Sequence, residues 1–156
     1  MRVMRRVALR LLGAGAGLCA AALAGLVRPV LAVAGQWNKT AFEAQALTDA
    51  LTELGLSDAV NSPDIIIKAP EIAENGAQVP IEISTRIPSA QAIYIFVDKN
   101  PQPLAASFSF MDGAEPFVAT RIKMAETSLL RVIVGAGARH YMAAREVKVT
   151  IGGCGE

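Results

Sequence analysis

The chain has 156 residues, of which 53% are hydrophobic and two are cysteine, and a formal charge of +1; that length suits one ordinary domain. The charge averages two unlike parts: residues 1–34 hold five arginines and no acid, while the rest holds 10 Lys and Arg against 14 Asp and Glu, or 10 − 14 = −4. A mildly acidic body gives no reason to expect nucleic-acid binding, and so few cysteines exclude cysteine-rich zinc sites and iron–sulfur clusters.

The opening stretch has the three parts of a signal peptide. "MRVMRRVALR" is a positive start, "LLGAGAGLCAAALAGLV" is apolar, and "AVA" at 32–34 offers small residues to a signal peptidase. Cleavage is therefore expected before Gly35. The pair Arg5–Arg6, the Gly- and Ala-diluted apolar run and Arg28 near its end point to the twin-arginine route, which exports folded cargo, while the lack of the fuller consensus after the pair leaves the Sec route as the alternative. A run of about 17 apolar residues so rich in Gly and Ala is a weak membrane span, so no stable membrane insertion is expected after cleavage. Cys19 leaves with the signal, and Leu18 before it does not fit a lipoprotein site. The exported chain then has one cysteine, Cys154, which has no partner for an internal disulfide.

In the body, Thr40 and Glu43 have capping-box spacing, and Phe42, Ala46, Leu47, Ala50, Leu51 and Leu54 recur on one helical face up to Gly55. A helix is expected over Thr40–Leu54. From Asp64 the period changes to two. "VPIEISTRI" sets Val79, Ile81, Ile83, Thr85 and Ile87 on one face, and "FVATRIKMA" does the same with Val118, Ile122 and Met124. "DIIIKA", "AIYIFVD", "LAASFSF", "SLLRVIVG" and "RHYMAAREVKVTI" bring the count to seven strands. Turn-forming pieces such as "ENGAQ", "IPSAQ", "DKNPQP", "MDGAEP" and "GAGAR" separate most of them. The pattern predicts an all-β fold, an immunoglobulin-like antiparallel sandwich of about seven strands with an added N-terminal helix. The expected domains are a signal peptide at 1–34, a helix-plus-sandwich body at 35–151, and a flexible C-terminal arm at 152–156. In the last strand Val147, Val149 and Ile151 fit the inward face, which predicts pairing up to Ile151.

Chemistry concentrates at the end of the chain. His140 opens the last strand and Cys154 lies beyond its other end, more than about 30 Å away at strand rise; that distance argues against a Cys–His nucleophilic pair, and His140 reads as an ordinary strand-edge residue. Glu71, Glu74, Asp112 and Glu115 fall in loops and form no evident catalytic pair. "VGAGAR" leads into a strand and reads as a hairpin turn, and "DKNPQP" lacks calcium-loop spacing. No metal or cofactor is expected. Cys154 stands between Gly152, Gly153 and Gly155, which remove bulk and widen the accessible backbone conformations. Glu156 and the terminal carboxylate disfavour its thiolate. A thiol that does not activate itself, displayed on a tether, suits a carrier whose chemistry comes from other enzymes.

Read together, the arginine-pair signal, "FEAQALTDALTELG", "IIIKAPEIAENGAQVPIEI" and the closing "EVKVTIGGCG" resemble the SoxY family, the sulfur-carrier subunits of the periplasmic thiosulfate-oxidising system. The resemblance implies a periplasmic protein without its own active site. Cys154 would hold the substrate covalently, with Gly152, Gly153 and Gly155 as the glycines of a swinging arm. It also implies a heterodimer with a SoxZ-like sandwich. Transient partners would be a c-type cytochrome that couples thiosulfate to the thiol, a hydrolase that releases sulfate, and a sulfane dehydrogenase. The family tail commonly ends GGCGG, whereas Glu156 stands last here. Two other classes compete: an exported binding or adhesion module joined to a partner by an intermolecular disulfide through Cys154, and a single-cysteine redox enzyme, which lacks an acid–base neighbour. On the apolarity of "AIYIFV" and "SLLRVIV", a partner chain is expected to cover part of those strands.

Overall fold

The computed structural model describes residues 38–111 and 113–150, all within the compact unit that begins at Asn38. The expected signal peptide with Arg5 and Arg6, the expected cleavage point, Asp112, Ile151 and the tail residues Gly152, Gly153, Cys154, Gly155 and Glu156 lie outside the described residues.

The expected helix is two short ones, α1 (Lys39–Glu43) and α2 (Leu47–Glu53). Ala44 between them is extended, at φ −60° and ψ 134°. The Thr40–Glu43 capping box is not the start either: Asn38 is the N-cap, and its Oδ1 accepts from the Ala41 amide at 3.0 Å. The break lets the segment fold back on itself. Asn38 Nδ2 donates to the Glu53 carbonyl at 3.2 Å, across a gap that a straight helix would hold open at about 22 Å. With the segment folded back, Ala41 and Ala50 are both fully buried. Packing thus overrides a continuous helical pattern. Gly55 ends α2 as expected, at φ +66°. The Leu56 amide reaches back to the Leu51 carbonyl at 2.8 Å and that of Gly55 to Thr52 at 3.0 Å, the paired bonds of a Schellman stop.

Among the described residues nine strands follow: β1 (Val60–Asn61), β2 (Ile65–Lys68), β3 (Ile72–Ala73), β4 (Val79–Thr85), β5 (Ala92–Val97), β6 (Leu104–Ser109), β7 (Phe117–Ile122), β8 (Ser128–Ala136) and β9 (Arg139–Val149). Six form one sheet, ordered β1-β9-β8-β5-β6 with β3 also on β9, and β2-β4-β7 form the other. The seven expected strands are all present, and their pairings with one another are antiparallel. The two additions, β1 and β3, have two residues each and run parallel to β9. Two residues carry no readable period; the free edge of β9 gives them their pairing. The β8–β9 hairpin turns at Gly137, which takes φ +62°, a left-handed conformation that suits glycine.

The interior between the sheets is built by the alternating positions read from the sequence. Val79, Ile81, Ile83, Val118 and Ile122 face Ile93, Ile95, Val97, Leu130, Val132, Val134 and Val147. Burying one such side chain stabilises by roughly 2 kcal/mol. On its other face the larger sheet sends Phe96, Leu104 and Ile133 into a second cluster with Ala41, Ala50 and Leu56. β5 and β8 are therefore covered on both sides within the chain. The sandwich interior and the helices cover most of "AIYIFV" and "SLLRVIV", and Leu129 is left exposed.

Candidate functional site

The last strand decides where anything beyond it can move. β9 is eleven residues long and pairs with β8 from Arg139 through Val147. There the ordinary ladder stops, and three consecutive amides find other partners. Lys148 donates to the Glu71 carbonyl at 2.9 Å, and Thr150 to the Ala73 carbonyl at 3.1 Å. Between them the Val149 amide turns to the opposite edge and donates to Thr127 Oγ1 at 2.9 Å. The Thr150 hydroxyl lies 3.4 Å from the carbonyls of both Ala73 and Glu74. β9 ends at Val149, yet the backbone is held through Thr150, the last described residue.

Those partners are themselves fixed. Ala73 is buried in the sandwich interior. Asn75 caps the short 3-10 helix Gly76–Gln78 through its side chain, and the Gly76 carbonyl accepts from the Met124 amide at 2.8 Å. Asn100 closes the same end: its Nδ2 donates to the Lys123 carbonyl at 2.8 Å and its Oδ1 accepts from the Ala125 amide at 2.9 Å. Ser128, a buried polar residue, accepts from the Lys99 amide at 3.0 Å. Side chains of Asn, Ser and Thr here occupy backbone groups that a loop would otherwise leave to water. The end of β9 thus sits in a braced collar of three connections, 69–78, 98–103 and 123–127. Cys154 is four residues beyond Thr150 and can stand at most about 14 Å from it.

The opposite end of β9 is held differently. His140 Nδ1 lies 2.7 Å from Asp58 Oδ1, so this strand-edge histidine has a partner 82 residues away. The hydrogen bond with His140, and then its charge, holds the Asp58 carboxyl below its ordinary value of 3.8. Along β9, His140 and Val149 are separated by about 30 Å at strand rise. A second charged pair, Arg131 with Asp98, lies at the edge of the helix-covered face. It is two-pronged, with Nε to Oδ1 at 3.2 Å and Nη2 to Oδ2 at 2.7 Å. That bonding raises the Arg131 pKa and keeps the guanidinium charged.

The loop carboxylates Glu71 and Glu74 enter the collar through their backbone carbonyls. Their side chains take part in no ion pair among the described residues. A groove of about 580 Å³ opens on the smaller sheet between Pro70, Pro80 and Arg121; its one carboxylate, Glu82, is already paired with Lys68 at 3.2 Å. Among the described residues no three His, Cys, Asp or Glu side chains gather as metal ligands. Sequence reasoning missed Thr127, Ala73 and Asn100, whose roles rest on contacts across the fold and leave no local pattern.

A family model described as "Sulfur oxidation protein SoxY" matches residues 52–154. A solved structure, that of the sulfur carrier protein SoxY from Chlorobium limicola f thiosulfatophilum, is 48% identical, covers 67% of this chain and 96% of that chain, and superposes with a TM-score of 0.61. A PKD domain of an M14-like peptidase from Thermoplasmatales archaeon SCGC AB-540-F20 is 14% identical over 57% of this chain and 93% of its own, with a TM-score of 0.38, too low to support any argument. The search of curated proteins finds no match.

Proposed function

The chain belongs to the SoxY family of sulfur oxidation proteins, and from that premise we propose that it is a periplasmic sulfur carrier with Cys154 as the atom of attachment. The observation that supports this most is that the family match runs through Cys154, four residues after a strand whose backbone is held to Thr150. The body anchors and the tail presents. Gly152, Gly153 and Gly155 let the thiol enter a narrow active site without side-chain bulk around it.

The chemistry belongs to the enzymes that meet it. Coupling joins the Cys154 sulfur to the sulfane sulfur of the thiosulfate dianion: the thiol proton leaves, two electrons pass one at a time to a c-type cytochrome, and one S–S bond forms. Water then attacks the terminal sulfone in a hydrolase, releasing hydrogen sulfate and leaving a persulfide on Cys154. A sulfane dehydrogenase passes six electrons from that sulfur to its own electron acceptor while three waters supply oxygen, leaving a sulfonate, and a second hydrolysis releases it as hydrogen sulfate and regenerates the thiol. The protein itself contributes no acid, base or cofactor to these steps. It travels as a heterodimer with a SoxZ-like sandwich, exported already folded through Arg5 and Arg6.

Cys154→Ser tests the proposal. The residue lies beyond the paired strand, so folding and dimerisation are expected to be unchanged. A hydroxyl forms no sulfur–sulfur bond, so thiosulfate-dependent electron transfer is expected to vanish. Undiminished thiosulfate oxidation by that variant would refute the carrier role.

A further inference from the structure

Large apolar side chains are exposed at Val60, Ile72, Met111, Phe117 and Leu129. Two of them stand beside the end of β9. Ile72 pairs with Lys148, and Leu129 with Glu146. Val147 between those partners is fully buried in the sandwich, so alternation turns Lys148 and Glu146 to the outer face of the larger sheet. Paired residues on neighbouring strands share a face, and Ile72, Lys148, Glu146 and Leu129 therefore form one patch. The helices pack over Phe96, Leu104 and Ile133 and leave this corner open: Ile72 keeps 56% of its surface and Leu129 41%.

The length of chain beyond the patch says what meets it. Cys154 stands no more than about 14 Å from Thr150. An enzyme whose reacting atom lies at the bottom of a cleft must therefore bring its rim down onto the surface around Thr150. By strand rise and ladder spacing, Ile72 is about 8 Å and Leu129 about 14 Å from Thr150. Of the other exposed apolar residues, Val60 pairs with Tyr141, nine residues back along β9 and about 30 Å away.

We infer that the patch formed by Ile72 and Leu129, with Lys148 and Glu146 between them, is the docking surface for the enzyme that receives the Cys154 adduct. The inference rests on the carrier reading and adds where the partner touches. The two apolar side chains supply the buried contact area, while the charges of opposite sign fix its orientation. The collar through Thr150 gives the patch a constant position relative to the start of the tail. Val60, at the far end of β9, has no such relation to the start of the tail.

The test uses the exported chain with its partner subunit, loaded with thiosulfate on Cys154, and the sulfate-releasing hydrolase. Sulfate release is measured against carrier concentration for wild type, Ile72→Ser, Leu129→Ser, the double variant, and Val60→Ser as a distant control. The double variant is expected to raise KM by about tenfold, the scale of losing a modest hot spot, with kcat little changed. Val60→Ser is expected to match wild type, and alkylation of unloaded Cys154 by iodoacetamide is expected to be equal in all five. Unchanged KM in the double variant overturns the docking surface, as does an equal rise in Val60→Ser. Loss of the partner subunit from the Ile72→Ser or Leu129→Ser protein overturns it too, by making the patch the contact between the two subunits. Wild type that is never loaded or hydrolysed defeats the carrier reading itself. Normal processing of wild type with an unmoved KM in the variants defeats only the surface.

Discussion

The two ends of β9 are fastened by different means. Its start is held by a glycine turn, the short parallel strand β1 and one solvent-facing side-chain pair, His140 with Asp58. Its finish is held by three successive backbone amides that alternate between two edges, with Thr127 supplying a hydroxyl where β8 runs out. A single exposed pair depends on pH and salt and contributes little. Backbone anchors with partners inside the fold do not titrate. The finish of β9 therefore keeps its fastening across changes of pH and salt.

The largest effect is expected away from both ends. Asp98→Ala leaves the Arg131 guanidinium, with its side chain only 20% exposed, without its two-pronged partner. Losing a charged hydrogen bond in such a setting costs about 2 kcal/mol, to be measured by urea unfolding. If the loss is nil, global stability does not depend on the join between β5 and β8 at this point, and the ends need not be compared against it.

Thr127→Val sharpens the comparison at the finish. It removes the acceptor for the Val149 amide while keeping the side-chain shape, a local loss of about 1 kcal/mol. Hydrogen exchange at Val149 is expected to quicken by about fivefold, with the unfolding midpoint little altered, and Thr127→Ser is expected to restore protection. Exchange at Val149 that does not respond to the hydroxyl would mean that β3 alone holds the strand.

Asp58→Asn is expected to have the smallest effect. The Asp58 carboxyl is depressed below its ordinary value, so its contribution is fully present above about 3.8 and is lost as the pH falls through the lower folded value. Wild type is expected to melt slightly higher than Asp58→Asn at neutral pH, the difference closing in strong acid and shrinking in high salt. A difference that persists in strong acid would mean that the pair is not the source.

Most of the sandwich was legible because its interior is made by period-two runs. Val79, Ile81 and Ile83 are buried as their alternation requires, and Val118, Ile122 and Met124 likewise. The helix was legible as a helical face and not as two pieces, because Asn38 meeting Glu53 is decided by how the segment packs. β1 and β3 are too short to carry a pattern, although β3 is half of what fastens the site. The carrier reading of Cys154 rests on its glycines and its place in the chain, outside the described residues. The collar was not, since Thr127, Ala73 and Asn100 act through partners 22, 77 and 25 residues away.

The most direct measurement is the intact mass of the purified protein after incubation with thiosulfate and a thiosulfate-coupling c-type cytochrome, beside Cys154→Ser treated identically. The account predicts a gain in wild type equal to one thiosulfuric acid less two hydrogens, mapped to Cys154 and reversed by thiol reductant, with no gain in the variant. A wild-type mass that stays unmodified, or that shows only a fixed disulfide between Cys154 and another chain, would contradict it.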